Sequence, residues 1–208
     1  MTFFELYKIL KDRACININE LYSERRETLF TDLSRWVKSG KLVRIRNSWY
    51  CLPETLGSED ALRVIASSIY RPAYISFEYA LHFHGIIPEI VATLTCASSN
   101  KTNVFHADSR LITYTSLKPK MMYGYYPHAG KEGVTLLARP EKAIVDFLYI
   151  HNEYTTPEDM EELRFDEYFM NRELDWDRLC EFVLRSGSKA LKERIDTLLA
   201  VHGLNKIQ

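Results

Sequence analysis

The chain has 208 residues, 46% of them apolar and 26% charged, enough to build a packed core and too apolar for a disordered chain. Its formal net charge is -1, from 27 basic and 28 acidic side chains, which taken whole argues against a polyanionic partner. Divided after Leu52 the balance changes. Residues 1–52 hold ten Lys/Arg against six Asp/Glu, a net of +4, and residues 53–208 hold 17 against 22, a net of -5.

Phe3, Leu6, Tyr7 and Leu10 recur at helical spacing and predict a first helix. Residues 17–22 predict a brief second helix capped by Asn17 or Asn19. A third helix is predicted over residues 23–39, with Leu29, Leu33, Trp36 and Val37 on its apolar side. Gly40 stands where a left-handed residue ends a helix. Residues 42–52, followed by Pro53, predict two short strands about a turn at residues 46–48.

Three helices and a basic hairpin within 1–53 predict an N-terminal winged helix-turn-helix, whose third helix would enter a major groove with the hairpin as wing. If the apolar stripe faces the core, Thr28, Thr31, Arg35 and Lys38 face outward, and Arg25 and Arg26 lie at the helix start, where free amides also meet phosphate. The wing offers Arg44, Arg46 and Asn47. Strict alternation puts Arg44 and Arg46 on one cationic face and Val43 and Ile45 on the buried one. These nine residues are the predicted DNA-binding set, with Thr28, Thr31 and Arg35 at base edges. A merely solvated helix face, or a protein-binding three-helix module, is the alternative.

Residues 53–59 hold Pro, Gly and Ser and predict a linker. Beyond it, 59–208 predicts a mixed α+β domain. Helices are expected over 60–70 and 77–84, the latter capped by Ser76. Residues 91–96, 103–106, 111–116, 121–125 and 134–138 predict a small, mainly antiparallel sheet. Pro140 opens a strongly apolar helix over 141–151, in which Lys142 and Asp146 form an ordinary i, i+4 pair. Residues 157–208 are helical and acidic, with 12 Asp/Glu against 8 Lys/Arg. The fold class expected is therefore α+β.

Residues 73–149 carry a longer pattern: Tyr74-Ile75-Ser76-Phe77-Glu78-Tyr79-Ala80-Leu81, then His84-Gly85-Ile86-Ile87-Pro88-Glu89, then Pro140-Glu141-Lys142-Ala143 followed by Asp146. Behind a winged helix, this order resembles the AbiEi-like antitoxins of type IV toxin–antitoxin systems, a family of transcriptional regulators. The resemblance implies a bacterial, DNA-binding repressor of its own operon that binds an inverted repeat of double-stranded DNA. It also implies a rear domain that counters a nucleotidyltransferase-like toxin.

Enzyme signatures fail. No Asp or Glu has Lys two residues on, as a metal nuclease needs, and no nucleophile elbow, zincin, P-loop or dinucleotide fingerprint occurs. His82 and His84, two apart on a helix, are poorly spaced to chelate, so no metal, cofactor or catalytic residue is expected. Cys15, Cys51, Cys96 and Cys180 form no C-x-x-C pair and predict buried thiols in a reducing compartment. Neither an 18-residue apolar run nor a signal-peptide pattern is present, so no membrane partner is expected and the cytoplasm is the expected location. The second expectation is an adaptor whose acidic rear domain engages a basic protein.

Overall fold

The computed structural model describes residues 1–21, 26–204 and 207, with residues 26–28 given by their place in a helix alone. The architecture is mixed α+β, with nine α-helices and nine strands among the described residues.

The chain opens with α1 (Phe3–Leu10), started by a capping box in which Thr2 and Glu5 bond each other's backbone amides. Then come strand β1 (Ile16–Asn17) and a single 3-10 turn (Ile18–Glu20), where the sequence predicts a second helix. Helix α2 (Arg26–Lys38) follows, and Gly40, at φ +70°, turns the chain out of it. Strands β2 (Val43–Arg46) and β3 (Trp49–Cys51) form the expected hairpin. β1 pairs with β3, making a three-stranded sheet in the order β1-β3-β2. Leu6, Leu10, Ile16, Ile18, Leu29, Leu33, Trp36, Leu42, Tyr50 and Leu52 close one apolar cluster between this sheet and α1 and α2.

The second and larger cluster takes in the rest of the chain together with Ala14, Ile45 and Cys51. The small sheet is therefore covered on both faces, by its own helices on one and by the rear unit on the other. The rear unit is built on a six-stranded sheet of β4 (Ala73–Ile75), β5 (Leu94–Ser98), β6 (Asn103–Ala107), β7 (Arg110–Ser116), β8 (Tyr125–Ala129) and β9 (Val134–Ala138). Their order is β6-β7-β5-β4-β9-β8.

With six strands this sheet is not the small one expected, while three of its five pairings are antiparallel, as expected of a mainly antiparallel sheet. Two of its five pairings, β4 with β9 and β5 with β7, are parallel. The central strand β4 is three residues long, too short to show alternation, and so escapes a pattern reading. The strand expected at 121–125 lies further on, because Pro119–Met121 coils into a 3-10 turn first.

Helix α3 (Glu59–Ile69) lies on one face of this sheet, where the Tyr114 hydroxyl donates to the Ala66 carbonyl at 2.7 Å. Helices α4 (Phe77–Phe83) and α5 (Pro140–Ile150) cover the other face, backed by α8 (Trp176–Ser186) and α9 (Lys189–Val201). The short α6 (Pro157–Glu162) and α7 (Glu167–Arg172) complete the C-terminal layer. No helix among the described residues is long and apolar enough to cross a membrane.

Ser76 occupies the N-cap position of α4 but makes no cap bond. Its hydroxyl donates instead to Asp146, and Thr95 of the neighbouring strand accepts from the Tyr79 amide at 3.1 Å. A side chain from β5 thus does what the local residue was expected to do.

Lys142 and Asp146 are likewise not an ordinary solvated pair: both are wholly buried and ion-paired. The other Asp146 oxygen accepts from the Tyr74 and Ser76 hydroxyls, each at 2.7 Å. The ammonium lies over the Tyr74 and Tyr123 rings. Gly124, at φ +75°, lets the Lys142 stem pass, since a Cβ there would sit 3.0 Å from it. Burial pushes the Asp146 carboxyl up and the Lys142 ammonium down, while their mutual contact opposes both shifts.

Candidate nucleic-acid interface

α2 is two-sided. Leu29, Leu33 and Trp36 are buried beneath it, while Thr31, Arg35 and Lys38 are exposed along its outer side. Positions 31, 35 and 38 are spaced i, i+4, i+7, so they make one stripe. The Arg35 side chain is 72% exposed and paired with Asp32 at 2.8 Å. An exposed pair of this kind contributes a few tenths of a kcal/mol, about 0.5 at most, and yields readily to a better acceptor. Arg25 lies outside the described residues, as do the side chains of Arg26 and Thr28.

Phe30 joins the outer face, 47% exposed. A sequence reading passes over it because apolar residues are assigned to the core side by default. Its position next to Leu29 in an i, i+4 register is the signal that would have found it. An outward ring of this kind suits contact with a thymine methyl group.

On the hairpin the expected cationic face divides. Arg44 opposes Tyr50, whereas Arg46 opposes Trp49, and Ile45 is the extra residue of a β-bulge between them. Arg44 is exposed and its guanidinium donates to the Asn47 carbonyl oxygen, so these two residues stand together at the tip. Because Tyr50 belongs to the cluster under α2, Arg44 leaves the sheet on the helix side.

Arg46 leaves on the other side. It donates to the Ile69 carbonyl at the end of α3 and lies 5.6 Å from the Tyr70 ring centre and 5.1 Å from that of Phe105. The structure therefore corrects its assignment to the phosphate-facing set. A β-bulge inverts the alternation on which that assignment rested, and Arg46 fastens the hairpin to the rear unit.

The remaining candidates are held elsewhere. His84 donates from Nε2 to the Ala138 carbonyl, 2.8 Å away, and burial lowers its affinity for a proton. No cluster of three metal-ligating side chains occurs among the described residues. All four cysteines are free, and burial pushes the thiols of Cys15 and Cys51 up to about 12, so they are protonated at neutral pH.

A separate cleft of about 370 Å³ lies between α4, α5 and α6. Glu78, Glu89, Glu153 and Glu162 line it together with Phe147, Tyr154 and His151, which bonds Glu78 and Glu153. Compared with models of protein families and with curated proteins, the chain matches none.

Proposed function

We propose that the chain is a sequence-specific, double-stranded-DNA-binding transcriptional repressor that acts by binding rather than by catalysis. Residues 1–53 are read as a winged helix-turn-helix, with α2 as the reading helix and the β2–β3 hairpin as the wing. One observation carries this: the stripe Thr31, Arg35, Lys38 is solvent-exposed on a helix whose opposite side is buried. The element order suits it as well, since β1 pairs with the second hairpin strand beneath α2. Arg44 and Asn47 then supply the wing contacts, with Arg35 and Thr31 at base edges.

The AbiEi-like pattern of residues 73–149 extends the proposal. The chain is then a bacterial, cytoplasmic antitoxin that represses its own operon at an inverted repeat, and the rear unit counters a nucleotidyltransferase-like toxin. The test is a gel shift with the DNA upstream of its own gene, with and without Arg35→Ala. Retention of that fragment and its loss in the variant are expected; retention of no fragment rejects the repressor. Rescue of growth by co-expression with a neighbouring nucleotidyltransferase-like gene tests the antitoxin role.

The glutamate-lined cleft favours a second reading, an adaptor that takes a basic segment of another protein. Failure of the gel shift together with capture of a basic partner, lost on Glu153→Gln and Glu162→Gln, would favour it.

A further inference from the structure

β4 and β9 share a single pair in their parallel register, Ile75 with Leu137. Pro72, just upstream of β4, has no amide to extend the ladder. A cleft of about 340 Å³ opens there, at the small end of ligand-pocket sizes. Met122, Tyr125 and Leu136 supply apolar walls.

Two observations give this cleft a chemistry. Ser67 and Thr135 both line it, and both hydroxyl oxygens are buried without a hydrogen-bond partner. Thr135 is only 2% exposed and Ser67 9%, and an unsatisfied hydroxyl at such a site costs stability unless something meets it. At the rim, Arg71 is exposed. Its Nε donates to the Ser67 carbonyl at 3.1 Å, and no acceptor among the described residues bonds its two terminal nitrogens. A guanidinium anchored by Nε presents those two nitrogens as a fork that matches a carboxylate.

We propose that this cleft binds a small hydroxylated aromatic carboxylate. The carboxylate sits on Arg71, the ring lies against Tyr125, Met122 and Leu136, and the ring hydroxyl meets Ser67 or Thr135. The volume is ample for one ring. Occupancy reaches the hairpin through the last turn of α3. Ser67 and Arg71 flank Ile69 and Tyr70, the two residues that hold Arg46.

Calorimetric titration of the full chain with benzoate, salicylate, 4-hydroxybenzoate and benzamide tests the site without DNA. Saturable binding is expected from the carboxylates, severalfold tighter for a hydroxylated one than for benzoate and at least tenfold weaker for neutral benzamide. Arg71→Gln is expected to weaken binding about tenfold and Thr135→Val severalfold, with the melting temperature of the exposed Arg71→Gln variant unchanged. Absence of saturable binding, equal binding of benzamide, or undiminished binding by Arg71→Gln overturns the site. The coupling to the hairpin rests on the repressor reading and has its own arm. Operator affinity is expected to change severalfold at saturating ligand, and an unchanged affinity overturns the coupling while the DNA-free titration still stands for the site.

Discussion

Arg44 and Arg46 stand two residues apart on one strand, yet they face opposite Tyr50 and Trp49, and so leave the hairpin on opposite sides. The bulge at Ile45 separates their roles. Arg44 stays with Asn47 at the exposed tip, and Arg46 ties the hairpin to α3.

Arg46→Ala is therefore expected to act on stability. It removes a charged hydrogen bond to the Ile69 carbonyl and the contact with two rings, together about 1–3 kcal/mol. Urea denaturation measures the loss. A variant as stable as the parent, but weaker on DNA, would return Arg46 to the phosphate-facing set.

Arg35→Ala is expected to leave stability nearly unchanged and to cost about 1–3 kcal/mol of operator affinity, concentrated at one base pair. Lys38→Ala should weaken all sequences alike. With about four phosphate contacts, log affinity should fall against log salt with a slope of about -3.6, and Lys38→Ala should make that slope shallower by about one unit. Fluorescence anisotropy across a salt series reads both effects.

The Lys142–Asp146 pair predicts strong non-additivity. Asp146→Ala leaves a buried ammonium and the Tyr74 and Ser76 hydroxyls without their acceptor, and Lys142→Met leaves a buried carboxylate. Each is expected to cost about 3–5 kcal/mol. The double variant Lys142→Met/Asp146→Leu removes both charges and should cost clearly less than the sum. Additive losses in a denaturation cycle would show that the two side chains do not act as a pair.

His84 predicts an acid-side loss of stability. Burial lowers its proton affinity in the folded chain below the ordinary histidine value of 6.5. The unfolded chain therefore takes up the proton first. The contribution is whole above about pH 6.5 and is lost as pH falls through the lower, folded value. His202 is shifted the same way, also by burial. Urea midpoints measured from pH 8 to pH 5 should decline less steeply in His84→Gln than in the parent, and parallel declines would contradict the assignment.

Much was legible from local pattern. The helical stripe of Leu29, Leu33 and Trp36, the hairpin before Pro53, and the apolar helix after Pro140 each follow from periodicity and from residues that start or stop an element. Those signals lie within a few neighbouring positions and depend on no distant partner. The stripe Thr31, Arg35, Lys38 follows too, as the remainder once the buried side is known.

Other features depended on which distant residues met. The strand β4 is recognisable only between its neighbours β5 and β9. Ser76 gives its hydroxyl to a carboxylate seventy residues away, and Thr95 takes over its cap. Lys142 and Asp146 read as an ordinary helix pair because i, i+4 spacing says nothing of burial; α8 and the sheet decide that. Arg46 changed faces through one inserted residue in a register that only pairing defines. Periodicity determines which side of an element is apolar, whereas the partner of a polar group is chosen by the tertiary packing that brings donor and acceptor within 3 Å of each other.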